Sequence, residues 1–328
     1  MNRLSQTRLS MLHTEHLIHV PDDFEKALSG VQLVADFLTP KRLPTRVEQF
    51  QSSTWALDFQ EAQVKARVHG LLPPRWVSIG LIRNAAFSSW YGCEVTKGTL
   101  LCNPPGEPID GSITPGFSCL AVSFPADVWE RAQQLAGGEN VSFDRFAALQ
   151  LTPDSYSRIE QRLLKLQNEL RDAYSTANYQ QEVMANATDF VMHIAASAWE
   201  SATTKPRPPD SYRNRMRLAH RAENWLRDHL ADQIQVTDLC LRLRISRREL
   251  EYAFKTAFDC GPQEYLNKLR LNAIYRVLRC SNQLSCSVSD IALDHGITHL
   301  GRFSSNYYRL FGEKPSTTLR KQATTIIR

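Results

Sequence analysis

The chain has 328 residues, enough for two domains with separate cores. Its 42% hydrophobic and 22% charged residues are ordinary globular values. No run of about 18 apolar residues occurs, and the opening MNRLSQTRLSML has no signal-peptide core, which excludes a membrane span and predicts a cytoplasmic protein. Seven scattered cysteines without a Cys-x-x-Cys pair exclude a disulfide framework or zinc site and read as reduced thiols. The net charge of +5 is unevenly spread. Residues 205–328 carry 22 Lys+Arg against 12 Asp+Glu, and residues 1–204 carry 17 against 22. A basic C-terminal part joined to an acidic N-terminal one suggests that one half meets a polyanion.

In chain order, residues from about 42 to 125 read as strands, with apolar runs at Trp55–Phe59, Val77–Ile82 and Cys119–Phe124. The turn signals Leu72-Pro73-Pro74, Asn103-Pro104-Pro105-Gly106 and Thr114-Pro115-Gly116 separate them. Many short strands with Pro/Gly turns predict an antiparallel, cupin-like β-barrel or sandwich. Residues 154–200 change period. Ile159, Leu163, Leu166 and Leu170 mark one helix, and Val183, Ala187, Phe190, Val191 and Ile194 a second. The two form a helical hairpin that either packs on its own sheet or exposes one apolar stripe to a second copy. Residues 201–211, SATTKPRPPDS, read as a stiff linker. The expected division is therefore 1–200, a strand-rich part closed by the helices at 154–200, then 201–211 as linker and 212–328 as a separate helical part. The fold class is α+β, with an all-α C-terminal part.

After the linker, Ala222, Trp225, Leu226 and Leu230 define an amphipathic helix. Thr237 is expected to cap a short helix that turns Leu239, Cys240 and Leu243 inward. Ser246 caps the next one, with Glu249 completing a capping box. Leu250, Ala253 and Phe254 then form the buried stripe, leaving Arg247, Arg248, Glu251, Tyr252 and Lys255 outside. Two short helices joined by a tight turn, the second with a basic outward face, make a helix-turn-helix. The pattern recurs at Val288–Arg309. There Ser289 is the expected cap, Gly296 the turn, and Ile291, Ala292, Phe303 and Tyr307 the core; His299, Arg302, Ser305, Asn306 and Arg309 face out. Between the units a helix from about Pro262 to Leu278, some 25 Å long, buries Tyr265, Leu266, Leu269, Ile274 and Leu278. It is a spacer able to present two helices to successive major-groove faces about 34 Å apart.

Across about 212–322 the chain resembles the AraC/XylS family of bacterial transcription regulators. The resemblance rests on Leu239–Phe254, on Gly261-Pro262-x-x-Tyr265-Leu266-x-x-Leu269-Arg270-Leu271, on Ile291-Ala292-x-x-x-Gly296 through Phe303-Ser304, and on Tyr307-x-x-x-Phe311-Gly312-Glu313-Lys314-Pro315-Ser316. The run His299-Leu300-Gly301-Arg302-Phe303 looks like the subgroup that includes the ethanolamine-operon activator. Ile297 departs from the aromatic usual after the glycine, and Cys260 stands before Gly261.

The implied partners are promoter DNA, RNA polymerase and a second copy of the chain, within the bacterial nucleoid. Arg247 and Arg248 are expected at base edges or nearby phosphates, and Tyr252 and Lys255 on the backbone. In the second unit His299, Arg302 and Asn306 are expected at bases, with Ser305 beside them and Arg309 on phosphate.

The resemblance also implies an N-terminal domain that binds an effector, dimerises, or does both. A small β-domain offers an apolar cavity, and Trp55, Phe59, Trp76, Phe87, Trp90, Tyr91 and Phe117 are candidates either to line it or simply to fill the core. His69 is the only histidine between His19 and His193, which argues against a multi-histidine metal site; no cofactor or catalytic constellation is expected. Two alternatives from another class use a thiol. One is a DNA-targeted alkyl-transfer enzyme, although Cys102 in Leu-Leu-Cys-Asn and Cys119 in Phe-Ser-Cys-Leu lack its Pro-Cys-His-Arg context. The other is a redox sensor at Cys93 or Cys102.

Overall fold

The computed structural model describes residues 11–28, 30–40, 43–135, 146–175, 202–204, 210–280 and 287–325. Its strands are β1 (Leu12–Ile18), β2 (Gln32–Phe37), β3 (Thr45–Gln51), β4 (Ala56–Glu61), β5 (Ala66–Leu71), β6 (Trp76–Asn84), β7 (Ser89–Trp90), β8 (Cys93–Glu94), β9 (Thr99–Asn103), β10 (Ile109–Ile113), β11 (Ser118–Pro125), β12 (Ala147–Leu151) and β13 (Ala202–Thr204). The helices of the N-terminal part are α1 (Phe24–Ala27), α2 (Ala126–Leu135) and α3 (Pro153–Ser175). Those that follow are α4 (Asp210–Asp228), α5 (Val236–Leu243), α6 (Arg247–Phe258), α7 (Pro262–Cys280), α8 (Val288–Asp294), α9 (Leu300–Phe311) and α10 (Pro315–Thr325).

The strands form two antiparallel sheets. The larger has the order β1-β3-β4-β11-β6-β9-β12-β13 and the smaller β2-β5-β10-β7-β8. Neither order closes on itself, so the expected barrel-or-sandwich is an open sandwich. The three apolar runs seen in the sequence lie in β4, β6 and β11, adjacent in the larger sheet. Alternation decides their faces. Leu57 and Phe59, Val77, Ile79 and Leu81, and Leu120, Val122 and Phe124 pack on one side with Ile159, Leu163, Leu166 and Leu170 of α3. Asp58 and Gln60, Ser78 and Gly80, and Ala121 and Ser123 point to the other side, between the sheets.

Helix α3 thus covers its own sheet with the stripe considered for a dimer seam. The second helix of the expected hairpin lies outside the described residues. Within the segment read as a linker, Ala202–Thr204 pairs with Leu149–Leu151 of β12, and α4 begins at Asp210.

Candidate DNA-binding interface

The first helix-turn-helix is built as its residues dictate, with one correction. Ser246 accepts from the Glu249 amide at 3.2 Å, and Glu249 accepts from the Ser246 amide at 2.8 Å, the reciprocal cap that starts α6. The cap of α5, however, is Gln235, whose amide donates to Asp238 at 2.8 Å, and Thr237 sits inside the first turn. The second unit shows the same shift: Ser287, not Ser289, caps α8, exchanging hydrogen bonds with Asp290 at 3.1 and 3.2 Å. In both cases an acidic side chain three residues past the cap fixes the start, because it reaches the cap amide that the helix leaves unpaired.

The turns differ. Gly296 lies at φ 73°, and a Cβ there would come within 2.7 Å of the Arg270 guanidinium. Five residues after Leu239, as Gly296 is after Ile291, stands Arg244, also left-handed at φ 55°. Arg270 is itself buried. It donates to the Leu230 and Asp232 carbonyls at 3.1 and 2.5 Å, tying α7 to the loop after α4.

Leu239, Leu250, Ala253 and Phe254 are buried in one cluster with Tyr265, Leu266 and Leu269 of α7, and Ile291, Ala292, Phe303 and Tyr307 in another with Ile274 and Leu278. Cys240 and Leu243 are only partly buried against the first. Helix α7 is therefore shared by both units, and its 19 residues span about 28 Å. On α6, Arg247, Arg248, Tyr252 and Lys255 are exposed. Arg248 lies 5.5 Å over the Tyr252 ring, Arg247 is 3.8 Å from Glu251, and Lys255 is 2.5 Å from Asp259. These exposed ion pairs are weak enough to exchange for phosphate. On α9 and its cap, His299, Arg302, Ser305 and Arg309 are exposed and Asn306 is half-buried.

Sequence reasoning missed the contact between the two halves. The outward face of the smaller sheet carries Asp36, Arg67, His69 and Asp110, and these meet α4 and α7. Arg67 and Glu223 are 2% and 0% exposed. The Arg67 Nε donates to the Glu223 carboxylate at 3.0 and 3.1 Å, and its Nη1 to the Gly111 carbonyl at 2.8 Å. Arg67 also pairs with Asp110, and Tyr265 donates to Glu223. Arg227 bridges Glu223 at 2.8 Å and Asp36 at 2.6 Å, and Arg276 meets Asp36 at 2.7 Å. Burial raises the Glu223 carboxyl, but the Arg67 and Arg227 cations outweigh it and hold it well below its usual value. Asp36 is lowered on the same balance, by Arg227 and Arg276. The Asn272 amide completes the seam, accepting from the Phe37 N–H at 2.9 Å and donating to its carbonyl at 3.0 Å, as a neighbouring strand would. Charged residues inside apolar stretches, Asp36 in QLVADF and Arg67 in ARVHGL, were the signal available in the sequence.

Of the aromatic candidates, Trp90, Tyr91 and Phe117 line a cavity between the sheets. Trp55 and Phe59 belong to the core under α3. Trp76 is half-buried, and Phe87 sits on a positive-φ turn, 93% exposed. The thiols weighed as nucleophiles are unsuited to that role. Burial pushes Cys119 up to about 12 and raises Cys102 as well, so neither is a thiolate near neutral pH.

Residues 239–321 match the profile of a helix-turn-helix domain family. Over 101 residues the chain is 34% identical to a XylDLEGF operon transcriptional activator of Pseudomonas putida, covering 31% of this chain and 32% of that one. Over 91 residues it is 35% identical to the HTH-type transcriptional activator RhaS of Shigella boydii, covering 28% and 32%. The chain thus spans about a third of the length of the curated relatives it matches. Among solved structures, a probable AraC family transcriptional regulator from Rhodopseudomonas palustris aligns at a TM-score of 0.31 and 26% identity, over 32% of this chain and 97% of that one. Residues 239–321 of this chain are a helix-turn-helix domain, and transcriptional activators are among the proteins it is similar to.

Proposed function

We propose that this protein is a DNA-binding transcription regulator, acting as an activator, that reads two adjacent major-groove segments with α6 and α9 and responds to a small molecule through its N-terminal sandwich. The observation that carries this reading is the pair of helix-turn-helix units packed on one continuous helix, each turning a cationic, hydrogen-bonding face to solvent. Arg247 and Arg248 contact bases at one end of the site, and Tyr252 and Lys255 the backbone. His299, Arg302 and Asn306 contact bases at the other, with Ser305 beside them facing the DNA and Arg309 on phosphate. We assign 1–200 to sensing and dimerisation, 201–211 to the connector and 212–328 to DNA binding, in a cytoplasmic, nucleoid-associated homodimer that engages RNA polymerase. The run His299–Phe303 supports the further reading that it belongs to the subgroup that includes the ethanolamine-operon activator.

The test begins with a genome-wide binding map of the tagged protein, followed by anisotropy titrations on the recovered sites. Arg247→Ala is expected to cost about 1–3 kcal/mol and to relax specificity at one position. Arg309→Ala should lower the slope of log affinity against log salt by about one contact while leaving specificity intact. Equal losses on every sequence for Arg247→Ala, or an unchanged slope for Arg309→Ala, would reverse those assignments. Sedimentation should give about twice the 37.4 kDa chain mass; a monomer with and without DNA refutes the dimer.

A further inference from the structure

The cavity between the two sheets has a volume of about 100 Å³. It exists because the larger sheet turns small residues inward, Ser78, Gly80, Ala121 and Ser123, where a packed sandwich would carry bulky ones. The facing wall is apolar and aromatic, with Phe24, Leu33, Trp90 and Phe117 among its residues. Gly111 makes room for this wall: a Cβ there would come within 2.7 Å of the Trp90 ring.

Most polar groups in the cavity that carry a proton or accept one are already engaged. Ser123 donates to Ser78 at 3.0 Å, and Tyr91 donates to Asn103. Asp58 takes a side-chain hydrogen bond from Gln49 but faces no cation. It is 3% exposed, it is the one ionisable carboxylate, and there is no Lys, Arg or His among the described residues lining the cavity. Its Oδ1 has no hydrogen-bond partner among the described residues. The Trp90 indole N–H is likewise unpartnered there. A buried carboxylate without a cation is costly, and here burial pushes the Asp58 carboxyl up to about 7.

We infer that this cavity binds a small organic cation, a short-chain primary amine whose ammonium seats on Asp58 and whose hydrocarbon body lies against Trp90, Phe117 and Leu33. The inference rests on reading the N-terminal domain as ligand-responsive. An ammonium supplies both the missing charge and a donor for the open Oδ1, and the apolar wall suits the hydrocarbon body. A carboxylate ligand would meet an unpaired anion with no cation in the wall. The size also limits the class. A dry cavity of roughly 150 Å³ admits benzene, so this one suits a body of about four or five carbon atoms.

The test is calorimetric titration of the full chain at pH 8 with propylamine, butylamine and pentylamine, each against the alcohol and carboxylate of equal length. At least one amine is expected to bind, the matching alcohol at least about tenfold more weakly, and the carboxylate not at all. Asp58→Asn, whose folding is checked by its melting temperature, should weaken that amine by about 10- to 100-fold. Asp58→Asn binding the amine as well as the native chain, an alcohol binding equally well, or no amine binding at millimolar concentration would each overturn the proposal. The same preparations are titrated with the DNA fragments recovered from the genome. Intact DNA binding without amine binding rejects only the ligand class, whereas loss of DNA binding by the native chain rejects the regulator reading itself.

Discussion

Two buried carboxylates show how far the setting of one residue decides its behaviour. Asp58 and Glu223 are 3% and 0% exposed. Glu223 lies among two arginines, and its carboxyl is held low; Asp58 has none, and burial takes it to about 7. The raised Asp58 value means that the folded state holds its proton better than the unfolded chain, so the group costs stability as pH climbs from about 4 through 7. Asp58→Asn is therefore expected to stabilise the protein at pH 8, by about 4 kcal/mol at most, and to have little effect at pH 4. Urea denaturation at the two pH values checks this; a loss of stability at pH 8 would contradict it. Glu223 works in the opposite sense. Its stabilisation is complete above its ordinary 4.5 and is lost as pH falls through its depressed folded value. Glu223→Gln leaves Arg67 and Arg227 poorly compensated and should cost about 3–5 kcal/mol at pH 7, with a shallower acid limb in the denaturation profile.

Among the elements, the two helix-turn-helix units solve one problem in two ways. Both need a left-handed residue five positions after the first buried aliphatic, and one uses Gly296 where the other uses Arg244. Glycine carries no Cβ penalty in that region. Arg244→Gly is thus expected to be neutral or to stabilise by up to about 1 kcal/mol, since the Arg244 side chain is exposed. Gly296→Ala brings a Cβ against Arg270 as well as into unfavourable backbone, and should destabilise by about 1–3 kcal/mol. Thermal unfolding of the two variants distinguishes them, and effects of the same sign and size would refute the argument. The buried stripes of α6, α8 and α9 were legible from helical periodicity, whereas in α5 only Leu239 of the three expected residues is fully buried. The caps Thr237 and Ser289 were misplaced because a hydroxyl near a helix start is a common signal. The acid at the third position selects the cap, and Ser287-x-x-Asp290 was there to be read.

At the scale of the whole molecule, the smaller sheet is a partition with work on both faces. Alternation along β2, β5 and β10 sends Leu33, Val68 and Ile109 to the cavity and Asp36, Arg67 and Asp110 to the C-terminal helical half. The cavity thus borders the same strands that hold α4 and α7, and α7 is the helix on which both units pack. Coupling by this route needs no element other than the sheet itself. Removing the strand-like grip of Asn272 and the Arg276 link to Asp36 together, as Asn272→Ala with Arg276→Ala, should weaken the seam while the Arg67–Glu223 and Arg227–Asp36 pairs remain. The native chain is expected to melt in one calorimetric transition and the double variant in a broader one at lower temperature. A transition of unchanged width and temperature in the double variant would show that these two contacts do not couple the halves.

The C-terminal helices, most of their buried positions, the turn at Gly296 and the exposed basic faces follow from spacing within about 20 residues and from local backbone preference. The sequence by itself also determined that β4, β6 and β11 would be strands. Long-range packing sets which face of those strands borders a cavity and seats the apolar stripe of α3 on its own sheet. It also decided that Asp36, Arg67 and Glu223, separated by up to 187 positions in the numbering, would meet in one buried cluster. Those outcomes depend on which surfaces face each other after folding. A buried charge reads in the sequence as any other charge until its partner arrives from a distant segment.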